Sequence, residues 1–107
     1  MRDLNLKEFY QKQVEWYKHE IEWETEQIAW ETEQVKRSRK ADRELVEYVW
    51  SKGPVEKIDM EIYGKNGKGY KGKDTKQHLA YRKKYYLRRK RYMKSLAEYQ
   101  RKLEELI

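Results

Sequence analysis

From Leu6 to Trp50 the chain has no glycine and no proline, and the middle of that stretch repeats every seven residues. Ile21 opens Ile-Glu-Trp-Glu-Thr-Glu-Gln, and Ile28 opens Ile-Ala-Trp-Glu-Thr-Glu-Gln. Val14 and Val35 extend the isoleucine series one step each way, while Phe9, Trp16, Trp23 and Trp30 form a second series at the same spacing. Seven residues are close to two helical turns, so each series follows one side of a helix. The two series are offset by two residues, roughly 200° around the axis, and a wheel puts them on opposite sides. A helix that is apolar on two sides requires two partners. A strand is the competing assignment, because Ile21, Trp23 and Thr25 alternate with glutamates. The seven-residue phase holds from Val14 to Val35 and favours the helix.

The partners must come from a thin core. With 42% charged and 37% hydrophobic residues, 107 residues suit a single helical domain, 1–107, in a two-layer arrangement. The expected fold is mainly α: a long antiparallel helical hairpin of two or three helices, with a short β-hairpin or glycine-rich loop between the long ones. An acidic, aromatic helix is expected over 6–51, capped by Asp3 or Asn5 with Glu8 in capping-box position. The run Lys36 to Lys40 interrupts the repeat, which makes Ser38 a candidate kink and Asp42 a candidate fresh cap. Gly53-Pro54 stops the helix.

The segment 55–73 is expected to hold a strand and a Lys/Gly loop, and over 55–63 the period changes. Ile58, Met60 and Ile62 alternate with Lys57, Asp59 and Glu61, which predicts a short half-buried strand. A lysine–glycine loop follows, in which Asn66-Gly67 suits a tight hairpin turn. The last helix is basic and expected over 74–107, capped by Asp74 or Thr75. Its wheel separates a tyrosine-rich half from a lysine-rich half. Arg82 and Arg89 fall on the tyrosine side, where they either meet glutamates of the first helix or line a groove.

Charge is distributed as unevenly as apolarity. Residues 1–35 hold four basic and nine acidic side chains, a net of −5; residues 36–73 hold eleven and six, a net of +5; residues 74–107 hold eleven and four, a net of +7. The ends can pair, and the surplus of +7 must then face something else. Lys83, Lys84, Arg88, Lys90, Arg91 and Lys94 are dense, one-sided and interleaved with tyrosines. Lys65, Lys68, Lys71 and Lys73 crowd the glycine loop. Cations at phosphate spacing on a rigid rod suit a nucleic-acid backbone, DNA or RNA. The expected function is therefore non-enzymatic nucleic-acid association through these ten residues. Specificity would come from shape or backbone, because no base-reading motif is present.

Two alternatives come from the tryptophans. Phe9, Trp16, Trp23 and Trp30, flanked by glutamates, suit a protein interface, as in an accessory or inhibitory protein that docks on a nucleic-acid-handling partner. The plainer reading is core, with one stripe packed against the last helix and the other against a second copy of the chain, so a homodimer is expected; a coiled-coil assembly subunit is the purely structural version.

Other chemistry finds little footing. There is no cysteine, and His19 and His78 stand far apart, so no catalytic residue, metal site or cofactor is expected. Gly67, Gly69 and Gly72 spell G-x-G-x-x-G, but no βαβ unit surrounds them, and the match is read as a coincidence of a glycine-rich loop. No apolar run reaches ten residues, so no membrane partner is expected and a cytoplasmic location is the default.

Overall fold

The computed structural model describes residues 5–64 and 67–106. They form three helices, α1 (Leu6–Ser51), α2 (Lys57–Tyr63) and α3 (Lys73–Glu105). The fold is mainly α, as the heptad and the absence of breakers require. The chain divides into two compact units. Unit one comprises Met1–Ala29 and Arg82–Ile107, and unit two comprises Trp30–Tyr81.

Asn5 caps α1, its Oδ1 accepting the Glu8 N–H at 3.3 Å. The α-helix continues through Ser38, whose hydroxyl donates back to the Gln34 carbonyl at 3.0 Å. The basic run at 36–40 is thus a helical turn. Asp42 begins no new helix. The end comes at Gly53, which takes φ 116° ahead of Pro54.

In unit one, α1 and α3 run antiparallel in a fixed register. Phe9 meets Tyr99, Trp16 meets Tyr92 and Trp23 meets Tyr85, with ring centroids 6.4, 5.8 and 5.8 Å apart. Each step of seven up α1 matches a step of seven down α3. Between these rungs Val14 is buried, and Tyr17 stacks on Tyr99 at 22°. The expectation that the two apolar sides need two partners is corrected here for unit one, where α3 tyrosines also reach the rings of the second series. Each large ring reaches round the flank of α1 to an α3 tyrosine, because a long aromatic side chain beside the seam spans the distance to the facing helix.

In unit two, Val35, Glu31 and Thr75 are buried, and Trp30 packs edge-on against His78. The expected strand over 58–62, and with it the β-hairpin, is also corrected: this stretch is α2. Five alternating residues distinguish strand from helix poorly, and Ile58 and Ile62 are also one helical turn apart. Both are about 60% exposed (60% and 59%), so no core exists for a strand face to bury. An isolated hairpin would be marginal. The Met60 N–H instead bonds the Glu56 carbonyl at 3.1 Å. Tyr63 ties α2 down, edge-on to Trp50 and stacked on Tyr70 at 4.9 Å. Gly67, at φ 71°, is buried where an added Cβ would collide with Val46. Asn66, the other half of the expected hairpin turn, lies outside the described residues.

The start of α3 is held from a distance. Neither Asp74 nor Thr75 occupies the cap; the helix begins at Lys73, just after Gly72. Asp42 of α1 supplies the acceptor. Its Oδ2 takes the Gly72 N–H at 3.0 Å and the hydroxyl of fully buried Thr75 at 2.6 Å. Asp42→Ala leaves both donors unanswered. It is expected to destabilise unit two by about 1–3 kcal/mol and to speed amide exchange at Gly72. Urea unfolding and hydrogen exchange read these effects, and unchanged exchange at Gly72 would contradict the assignment.

Candidate nucleic-acid interface

The orientation of α3 in unit one follows from what it must answer on α1. Glu24 sits three residues after Ile21, on the same side of the helix, and is only 1% exposed. Its Oε1 accepts from Arg88 Nη1 at 3.1 Å. At the next residue of both helices, Arg89 Nη1 donates to Thr25 Oγ1 at 3.2 Å. Arg88 and Arg89 therefore face α1, together with Tyr85 and Tyr92. The helical period then puts Lys83, Lys90 and Lys94 outward, with Lys84 and Arg91 at one edge of the same arc. All five are exposed.

The ten basic residues singled out in the sequence thus fall into different settings. Lys83, Lys84, Lys90, Arg91 and Lys94 share an open face of unit one. Arg88 belongs to the seam, half-buried against Glu24 and beside the Tyr85 ring. In unit two, Lys68 and Lys71 line one open cleft with Tyr63, Tyr70 and Lys76, and Lys73 opens α3. Lys65 lies outside the described residues. The glycine loop offers no phosphate cradle at the start of α3, because the Asp42 carboxylate already occupies the Gly72 N–H where an anion would sit.

Phe9, Trp16, Trp23 and Trp30 are 42%, 48%, 43% and 54% exposed. One edge of each ring touches α3 and the rest is open. In unit one, His19, Glu20, Trp23 and Arg88 line a shallow cleft along that edge.

Three acidic residues were missed as interior groups. Glu24 and Glu31 lie in the seam, and Asp42 reaches from it to the start of α3. Glu31 Oε2 stands 2.7 Å from His78 Nδ1, and because a carboxylate only accepts, the ring N–H donates. The signal for the two glutamates was available: each follows a repeat isoleucine by three residues, the second core position of a heptad. Among the described residues no three His, Cys, Asp or Glu side chains gather to hold a metal, and no helix is long and apolar enough to cross a membrane. Comparison with protein-family models, with characterised proteins and with solved structures finds no match to this chain.

The seam pair makes a sharp expectation. Glu24 Oε2 is buried with no hydrogen-bond partner, so Arg88 is its carboxylate's main compensation. Arg88→Met is expected to destabilise unit one by about 3 kcal/mol, because it strands a buried charge. The double variant Glu24→Leu with Arg88→Met removes charge and partner together and should recover most of that loss. Denaturant midpoints of the four proteins complete the cycle; a double variant as unstable as the sum of the singles would contradict the pairing.

Proposed function

We propose that the protein associates with nucleic acid through the outward face of α3 in unit one, holding the phosphate backbone with Lys83, Lys84, Lys90, Arg91 and Lys94. The observation that carries this reading is the separation of charge across α3. The arginines that meet α1 answer an internal acid and a hydroxyl, whereas the five outward cations are all exposed. From Lys83 to Lys94 the face runs about 16 Å at the helical rise, so several phosphates of one strand fall within reach. Binding draws its free energy from releasing counterions condensed on the nucleic acid, and it carries little sequence information. Lys68, Lys71 and Lys73 of unit two are a second basic surface of the same kind. Arg88 contributes indirectly, by keeping the lysines turned outward.

Fluorescence anisotropy of labelled 20-mers tests the reading. Affinity should fall steeply between 50 and 200 mM salt. Replacing Lys83, Lys90, Arg91 and Lys94 with glutamine should cost at least tenfold at the lower salt and flatten the salt slope by about three to four. Absence of binding at 50 mM, or a slope near zero, would sink it.

A second reading draws on the half-open rings. Phe9, Trp16 and Trp23, with Glu20 and Glu26 beside them, are an interaction face suited to a basic protein partner or to a second copy of the chain. Acrylamide quenching of tryptophan fluorescence across a dilution series distinguishes the two. Accessibility that rises on dilution indicates self-association, whereas constant high accessibility leaves the rings for a foreign partner.

A further inference from the structure

Tyr86 stands apart from the other α3 tyrosines of unit one. Tyr85, Tyr92 and Tyr99 are half-buried and make ring contacts with α1. Tyr86 is 54% exposed, yet its ring is backed. The Arg89 guanidinium carbon lies 4.9 Å from the ring centroid. Arg89 is itself anchored on Thr25, whose hydroxyl in turn donates to the Ile21 carbonyl at 2.8 Å. A chain of contacts therefore runs from the α1 backbone to an exposed phenol ring. Lys83 and Lys90 sit three residues before and four after Tyr86, one helical turn to either side, and both are exposed.

We infer that Tyr86, held by Arg89 and flanked by Lys83 and Lys90, is a stacking platform for an unpaired nucleobase, so that the basic face of unit one prefers single-stranded to double-stranded nucleic acid. The inference rests on the backbone-binding reading above and adds the strand class to it. A polycation alone favours the duplex, whose charge density is higher. A base inside a duplex already has both faces stacked and cannot use the ring. An unpaired base has a free face, and a flat aromatic between two cations accepts that face while the cations take the flanking phosphates. The guanidinium behind the ring matters because it orders the side chain before the base arrives, which lowers the entropy lost on binding.

The test uses the full chain and three labelled probes of one sequence: a 15-nucleotide DNA strand, the same strand as RNA, and the DNA duplex. The wild type should bind a single strand more tightly than the duplex. Tyr86→Ala should lose about tenfold on the DNA strand, the RNA strand or both, and stay within twofold of wild type on the duplex. Tyr86→Phe keeps the ring and should bind as wild type. Helical circular dichroism and melting midpoint should be the same for all three proteins, since the side chain is exposed. Unaltered single-strand binding by Tyr86→Ala, an equal loss on duplex and single strands, or a Phe variant as weak as the Ala variant would overturn the platform and leave backbone binding standing. No binding to any probe would overturn both.

Discussion

The structure depends on carboxylates of α1 that face α3 and need answering there. Glu24 is almost completely buried and meets Arg88; Glu31 is buried and meets His78; half-buried Asp42 meets the Gly72 amide and the Thr75 hydroxyl. A buried charge left unpaired costs about 3–5 kcal/mol on removal of its partner. Valines and isoleucines bring the helices together, but they would pack in several registers with little preference. The carboxylates do not tolerate a slip, since moving either helix by one turn parts each acid from its donor. Register and rotation of α3 are therefore electrostatic decisions made on an apolar seam, the role best attested for buried polar groups in helix pairs.

The proposed function follows from that choice. In unit one α3 carries eight Lys or Arg residues between Arg82 and Lys94 and so has a surplus in whichever direction it is turned. Turning Arg88 and Arg89 toward Glu24 and Thr25 determines that Lys83, Lys90 and Lys94 point outward as a group. It also places Tyr86 beside them, with Arg89 behind its ring. The tryptophan ridge on α1 is the counterpart. Its rings are half-covered by Tyr85 and Tyr92, so they stabilise the helix pair with one edge and leave the other open. A basic surface and an acidic aromatic surface then coexist on one unit, each available to a partner of different chemistry.

The legible part of the fold was the part written in spacing. The uninterrupted stretch from Leu6 and the stop at Gly53-Pro54 gave α1 with its ends, and the last helix is displaced by one residue at its start. The apolar positions Val14 and Val35 are buried as the repeat requires. Three features escaped. The wheel put Trp16 and Trp23 opposite the seam because it treats a side chain as a direction, whereas an indole is long enough to reach round a helix. The 58–62 stretch read as a strand because five residues cannot separate a period of two from one of 3.6. Residue type alone argues for exposure of Glu24, Glu31 and Asp42, while the partners that hold them inside, Arg88, His78 and Gly72, lie 30 to 64 positions away in the chain. Long-range pairing of polar groups is the information a one-dimensional pattern carries least.

The central claim is that the seam's polar pairs decide which side of α3 is offered to nucleic acid. Lysine acetylation of unit one with and without a bound oligonucleotide, read residue by residue by mass spectrometry, tests it most directly. The account predicts protection at Lys83, Lys84, Lys90 and Lys94, with Lys7, Lys12 and Lys18 of the acidic helix reacting as in the free protein. Protection of the α1 lysines, or an equal decrease at every lysine, would contradict it.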